Sequence, residues 1–398
     1  MLKNFLMTAL GASLMTFVGG QAVQAANFTV LASGLDSPRG LSFGPDGALY
    51  VTEAGKGGSG ACIASPSQPG ATLCYGATGA VTRIQNGISE RVITGLPSLA
   101  LPDGGDTAGI NDIAFDSTGK AYAIIGLAGN PANRDNILGI PDFGNLIAID
   151  DFDGGASWTR LADLAAYEGE YNPDGTDIIS NIYNFIIQGD TAKVIDSGAN
   201  DLFSVGLDGS GLTLESVFPE RLVTNPLSGE NILMQSVPTA IAKGPDEAYY
   251  VGELTGFPFP QGEARIYRLN PITNQPEVYA EGFTSIVDLA FGADESLYVL
   301  QYANDTLSSG NGSLIRITPD GTRTVLASEQ LLTPTALTLG PDGAVYVSNK
   351  GFTAGEGEIL RIETNQVASV PEPSAAWGIF VIGGLGTLLN LKRKRASV

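Results

Sequence analysis

The sequence predicts an all-β fold, a ring of six four-stranded antiparallel blades, and three observations carry that prediction. The first is internal repetition, the signature of repeat architectures. Arg39-Gly-Leu-Ser-Phe-Gly-Pro-Asp-Gly-Ala-Leu-Tyr50 aligns without gaps on Asn111-Asp-Ile-Ala-Phe-Asp-Ser-Thr-Gly-Lys-Ala-Tyr122. Three more segments, starting at Thr239, Val287 and Thr335, align equally and end on Tyr250, Tyr298 and Tyr346. The second observation is turn chemistry. In Gly-Pro-Asp-Gly, Pro presets one turn angle, Asp bonds back to the local backbone, and Gly takes positive φ, so each unit reads strand, turn, strand. The third is that a second hairpin follows each unit, as in residues 312–327. Four strands per unit make the blade of a β-propeller.

Taken in order, blades are expected to start near residues 38, 110, 183, 238, 286 and 334, with insertions in the first two. The third blade is degenerate, with Asn184-Phe-Ile-Ile-Gln as its first strand and Asp201-Leu-Phe-Ser-Val-Gly-Leu as its third. The recurring Tyr is expected to pack between blades. The last blade stops after its third strand at Ile362-Glu363. Asn27-Phe-Thr-Val-Leu-Ala-Ser-Gly-Leu35 resembles a fourth strand and is expected to complete that blade, closing the ring and hiding its sheet edges.

The ends read as addresses. Lys3, an apolar stretch over residues 5–18 and Val23-Gln24-Ala25 form a secretory leader over residues 1–25, expected to be removed by signal peptidase. Residues 26–364 form the propeller, and 365–374 a linker ending in Val370-Pro371-Glu372-Pro373-Ser374. An uncharged run over 375–391 follows, then Lys392-Arg393-Lys394-Arg395, within a tail of 375–398. The run is just long enough for a transmembrane helix, and its basic end marks the cytoplasmic side.

Composition removes several functions. The 398 residues contain no His, so a Ser-His-Asp triad, a Cys-His pair, an H-E-x-x-H zinc site and a His base are all excluded. Without Lys3 and the four terminal cations, 16 cationic side chains face 42 acidic ones, a net charge of about −26. Such a body repels phosphate backbones, so nucleic acid is not an expected partner. The only cysteines, Cys62 and Cys74, are expected to pair in an oxidising compartment and staple a Ser-, Pro- and Gly-rich loop.

The Pro-Glu-Pro element, apolar run and basic end together resemble the PEP-CTERM sorting signal. That resemblance implies cleavage near Pro371, Glu372 and Pro373 by an exosortase. The protein would be transiently anchored in the inner membrane, then reach the cell envelope, cell surface or extracellular matrix. The repeat unit at Asn111 looks like those of the gluconolactonase/regucalcin propellers, of the NHL-like kind. Members hold a divalent cation in the channel with Glu, Asn, Asn and Asp. Asn111 and Asn184 fall on the two Asn positions and are the candidate metal ligands, with Ca²⁺ the cation implied. No carboxylate occupies the other positions aligned with them, and Arg39 stands in the first blade. The units as a whole resemble the ScyD/ScyE-like family of exported six-bladed propellers, some encoded with a scytonemin pigment pathway.

The candidate channel and ligand-binding residues are therefore Arg39, Asn111 and Asn184 on first strands, with Glu53 and Glu253 after second strands. Solvated acidic loop residues are the alternative for the two glutamates. Asp150-Asp151-Phe152-Asp153-Gly154-Gly155 and Asn172-Pro-Asp-Gly-Thr-Asp177 are acidic turns without EF-hand spacing. Phe257-Pro-Phe-Pro260 is either a loop plug or a ligand-stacking lip. The sequence favours a binding or scaffolding propeller for an unidentified small molecule or surface polymer, without assigned catalytic residues. The alternatives are a Ca²⁺-dependent lactonase-type hydrolase and a factor in extracellular pigment maturation.

Overall fold

The computed structural model describes residues 26–152 and 157–364. Six four-stranded antiparallel sheets follow one another along the chain, one of them carrying an extra strand. Each innermost strand packs on that of the next blade, and the sixth packs on the first, so the ring is closed. Blade 1 consists of Pro38–Phe43, Leu49–Glu53, Thr72–Gln85 and Ile88–Ala100. Blade 2 consists of Ile110–Phe115, Ala121–Ile125, Asn145–Asp151 and Ser157–Asp163, and blade 3 of Ile182–Gln188, Thr191–Asp196, Asp201–Gly206 and Thr213–Val217. Blade 4 consists of Pro238–Lys243, Tyr249–Glu253, Ala264–Leu269 and Pro276–Phe283. Blade 5 consists of Ile286–Phe291, Leu297–Gln301, Ser313–Ile317 and Arg323–Ala327. Blade 6 takes Ala336–Leu339, Val345–Asn349 and Ala354–Ile362 from the end of the body and Phe28–Asp36 from its start. Phe28 lies opposite Ile362 and Leu35 opposite Gly357, so the expected closure is present.

The repeat forms these blades because its apolar residues are spaced to bury both faces of each sheet. Buried second strands such as Leu49-Tyr-Val-Thr-Glu53 and Val345-Tyr-Val-Ser-Asn349 lie between neighbouring blades. The seam between blades 6 and 1 holds Leu41, Leu49, Val51, Ala336, Tyr346 and Ile359. The recurring Tyr packs as expected. Its ring meets the Phe that ends the next blade's inner strand: Tyr50 against Phe115, Tyr250 against Phe291, and Tyr346 against Phe43, with centroids 4.9–5.1 Å apart. Its hydroxyl donates to the Asp of the preceding turn, at 3.1 Å for Tyr50 to Asp46 and 3.0 Å for Tyr346 to Asp342. The Gly that opens this turn is required by the ring. A Cβ on Gly340 would lie 2.3 Å from a Tyr346 ring carbon.

Insertions decorate this frame. In blade 1 a short strand, Cys62–Ala64, pairs with the third strand, and Cys62 is bonded to the opposite residue, Cys74. In the segment joining blades 2 and 3 a helix spans Leu164–Tyr171. Asp163 caps its N-terminus by accepting from Ala166 N, and Asn172 ends it with φ +40°. Between blades 3 and 4 lies a hairpin that the sequence reading lacked, Arg221–Thr224 with Asn231–Met234. Its strands are only four residues long, but the Asn-Pro-Leu-Ser-Gly turn between them was a readable signal.

The third and fourth strands of blade 2 are present, and residues 153–156 of the acidic turn between them are outside the described residues. Outside them too are the leader and the C-terminal segment with Pro371, Glu372, Pro373 and the apolar run expected to span a membrane. Among the described residues no helix is long and apolar enough to cross a membrane.

The Cys62–Cys74 bridge closes a loop with a sequence separation of 12. Replacing both cysteines by Ser is expected to lower unfolding stability by about 3 kcal/mol, measured by denaturant unfolding of oxidised protein.

Candidate functional site

The inner strands carry an extra residue at the same place in five blades, which shifts the pairing register. A bulge of this kind re-aims the side chains beside it. The register aligns Asp112, Asn184, Ala240, Asp288 and Ala336, and Gly40 takes this place in blade 1. Asn184 is therefore equivalent to Asp112, and Tyr183 occupies the place of Asn111. This corrects the alignment of Asn184 with Asn111. It also corrects the expectation that carboxylates are missing, because Asp112, Asn184 and Asp288 line the channel together.

These three side chains face backbone amides. Asp112 accepts from Ile113 N at 2.8 Å and from Phe185 N, on the next blade, at 3.2 Å. Asn184 Oδ1 accepts from Ile241 N at 3.1 Å. Asp288 accepts from Leu289 N at 2.8 Å and from Leu337 N at 2.7 Å. Each crosses a seam. Gly40 belongs to the same arrangement, since a Cβ there would lie 2.0 Å from the Asp112 Oδ1. Burial pushes Asp112 well above the usual carboxylate range, and the Asp288 charge adds to this. Burial likewise pushes Asp288 up to about 7, against the two amides that favour its charged form. Beyond this ring a cavity of about 370 Å³ runs toward the ends of the inner strands, past Ser42, Phe115, Gln188 and Lys243.

The residues just before these positions form a second set of ties. The Asn111 Nδ2 donates to Ile182 O at 2.8 Å, Thr239 Oγ1 to Ile286 O at 2.7 Å, and Thr335 Oγ1 to Pro38 O at 2.7 Å. Asn111 is 3% exposed and is not among the channel-lining residues. The structure does not bring Asn111 and Asn184 together as a ligand pair.

Glu53 and Glu253 are both 0% exposed, which corrects their reading as solvated loop residues. Glu53 holds Arg91 through Nε at 2.9 Å and Nη2 at 2.6 Å, and accepts from Asp36 N at 2.7 Å. Glu253 holds Arg221 through Nη1 at 2.9 Å and Nη2 at 2.5 Å, and accepts from Ser236 Oγ at 2.7 Å. The same place in other blades does similar work. Asp196 accepts from Asn181 N, Gln301 from Thr284 N and Asn349 from Leu332 N. A polar residue ending the second strand thus clamps the loop entering its own blade, where buried amides would otherwise lack partners.

Arg39 remains at the mouth where the inner strands begin. Its Nη1 donates to Gly351 O and its Nη2 to Thr107 O, both at 2.9 Å. It forms no ion pair with a carboxylate among the described residues, whereas Arg91 and Arg134 each pair with two and Arg221 with one. Its charge acts on the phenols of Tyr183 and Tyr302, opposing the rise that burial imposes on both; Tyr302 is pushed up to about 12. Sequence alignment missed both tyrosines. Tyr183 was hidden by the one-residue offset, and Tyr302 lies just beyond the aligned unit. Phe257 of the Phe-Pro-Phe-Pro loop is 60% exposed.

Raised pKa values fix the sign of one pH effect. The folded Asp288 holds its proton to about pH 7, whereas the unfolded side chain releases it near the ordinary value of 3.8. Stability from this group is therefore fully present below the unfolded value and is lost as pH rises through about 7. Asp288→Asn loses one of the two amide bonds, since its Nδ2 cannot accept, and is expected to lack this pH dependence. Relative to that variant the parent should lose up to about 4 kcal/mol between pH 4 and pH 8, read from paired denaturant titrations.

No family model and no curated protein matches the chain. Among solved structures it is similar to the PQQ-bound aldose sugar dehydrogenase from Streptomyces coelicolor, with a TM-score of 0.50, 14% identity, and 86% of this chain and 99% of that one covered. It is also similar to a gluconolactonase from Xanthomonas campestris, with a TM-score of 0.49, 11% identity, and coverage of 85% and 90%. A calcium-binding regucalcin from Agrobacterium tumefaciens gives a TM-score of 0.48, 13% identity, and coverage of 85% and 95%. At these identities the likeness concerns the fold alone, and the chain is a six-bladed β-propeller.

Proposed function

We propose that this chain is an exported propeller, sorted to the cell surface, that binds an anionic and aromatic small molecule or polymer end group. One observation carries the reading. In a body of about −26 net charge, Arg39 stands at the channel mouth without a carboxylate partner, and two phenols lie within reach of its field. A guanidinium in that setting favours a carboxylate or sulfate group, and Tyr rings supply stacking surface. The other polar side chains of the channel are engaged in holding the ring together, which supports binding at the mouth. Secretion through the leader, and exosortase cleavage near Pro371-Glu372-Pro373 after membrane anchoring, complete the proposal. A part in extracellular pigment maturation is compatible with an aromatic ligand.

The alternative, Ca²⁺-dependent lactonase-type hydrolysis, gains one observation. Asp112, Asn184 and Asp288 bring two carboxylates and an amide oxygen to one ring. Their chemistry suits a hard cation, but their oxygens already accept backbone amides. The residues as arranged therefore do not fit a channel metal.

Titration of the purified chain with aromatic carboxylates, followed by calorimetry, is expected to show binding. Arg39→Gln should weaken it at least tenfold, and Tyr302→Phe should weaken it less. Equal affinity in Arg39→Gln overturns the mouth as the site. Calcium-dependent lactone turnover that disappears in Asp112→Asn would establish the alternative. For sorting, a chain with Pro371, Glu372 and Pro373 changed to Ala should stay in the membrane fraction; unchanged release rejects exosortase processing.

A further inference from the structure

We infer that the link from blade 2 into blade 3, residues 164–181, is a proton-operated latch: Glu168 and Asp201 hold it closed as neutral acids, and loss of their protons opens it locally. The latch does not depend on what the channel mouth binds. Glu168 lies in the helix Leu164–Tyr171, and Asp201 opens the third strand of blade 3. The helix is pressed onto that strand through Tyr167, whose ring stands edge-on to Phe203 with centroids 5.1 Å apart. Both acids are 0% exposed, and none of their four carboxyl oxygens closes a hydrogen bond. The buried Oδ1 of Asn172, the residue that ends the helix, lacks a donor too. Ionised carboxylates in such a place would bear the full cost of desolvation. A proton on each removes the charge and adds a donor to a region supplied with acceptors.

The surrounding charges act in the same direction. Asp201 lies directly opposite Asp196 in the hairpin register, where like charges repel. Asp174, in the turn after the helix, accepts at 2.8 Å from the Nδ2 of Asn200, the residue before Asp201. Asp196 has donors for its own charge in Ser180 Oγ and the amides of Asn181, Gly198 and Ala199, although burial pushes it up as well. The cations of neighbouring elements are engaged elsewhere. Arg134, next to the turn Pro131–Asn133 on which the helix packs, is held by Asp135 and Asp163. Lys193, on the second strand of blade 3, pairs with Glu215 on the fourth. The strand Asn145–Asp151, also packed on the helix, brings Asp150 and Asp151, and the helix and its turn add Glu170 and Asp177. The remaining titratable groups are the phenols of Tyr167, Tyr171 and Tyr183.

Burial first, then Asp196 and Asp174, push Glu168 up to about 7, with the Ile179 amide opposing the rise. Burial, Asp196, Asp174 and Glu168 push Asp201 up to about 9. Lifting the helix lets water reach both carboxyl groups, which then return toward their ordinary values of 4.5 and 3.8. Closure is therefore at full strength below those values and is lost as pH rises through about 7 and then about 9. Opening frees the helix, the turn 172–177 and the bridge in which Ser180 and Gly129 exchange N–H···O bonds of 3.1 and 3.3 Å. The blades keep their own ladders, so the event is local.

Amide hydrogen exchange of the purified full chain at pH 6 and pH 8, corrected for intrinsic rates, tests this. Protection over residues 165–181 should fall about a hundredfold between the two. At pH 8 it should lie about tenfold or more below that of the blade 5 strand Leu297–Gln301, which marks a local event. Glu168→Gln and Asp201→Asn fix neutral side chains at positions without hydrogen bonds to lose, and each should remove part of the fall. Together they should reduce it to less than about tenfold. Asp288→Asn, which lacks the channel's own pH response, should keep the fall. Unchanged protection of the link in the parent overturns the inference, whatever the variants do. So does a full fall in the double variant, or a link as protected as blade 5 at pH 8.

Discussion

The ring depends on how the free edges of its inner strands are satisfied. A first strand pairs on one side only, with the second strand of its own blade. Its other edge presents amides and carbonyls to a narrow channel that they share with the neighbouring blade. An unpaired buried edge of this kind is costly. Asp112, Asn184 and Asp288 answer for the amides, while Asn111, Thr239 and Thr335 answer for the carbonyls. Ser197 to Pro238 O and Ser348 to Arg39 O reinforce two seams. Blade packing is otherwise generic, made of Val, Ile and Leu between sheets. The polar ties fix which residue sits beside which, and so convert six similar sheets into one ring with a defined rotation between members.

The fold was largely legible because turn chemistry and strand alternation are local. Gly-Pro-Asp-Gly announces a hairpin wherever it occurs, and the Asp-to-Tyr bond within that hairpin stays inside one repeat. Ring closure was legible for a similar reason, since Phe28–Asp36 reads as a fourth strand that lacks its blade. The candidate site was much less so. One bulge residue in five of the inner strands moves the inward position by one, and gap-free alignment cannot register an extra residue that aligned repeats share. Only the degenerate blade, where Tyr183 precedes Asn184, exposed the offset. Burial of Glu53 and Glu253 was hidden because their partners, Arg91 and Arg221, come from a distant strand and from an unforeseen hairpin.

Polar residues at aligned places thus divide by what they face. Second-strand ends face the incoming loop and become clamps. Inner-strand residues face the next blade and become ties. Arg39 departs from both groups, because its two contacts are carbonyls from blade 6 and from the link into blade 2. Glu168 and Asp201 depart in the opposite sense, as acceptors to which no donor was supplied. Departures from a repeat's own bookkeeping are where specific chemistry can be sought, since the frame itself does not need them.

Blade 6 has a temporal meaning as well as a spatial one. Its outermost strand is the first segment of the body to be synthesised, and the strand it needs is the last, with Phe28 beside Ile362. A chain that emerges in order can assemble five blades from neighbours in sequence, yet the first strand must wait, unpaired, for the whole body to follow. Pairings of such sequence separation are slow to form. Completion of the ring and pairing of its first strand are therefore one event. Any chain cut short before residue 354 leaves the Phe28–Asp36 strand without its partner, an open strand edge of the kind that templates pairing with other chains.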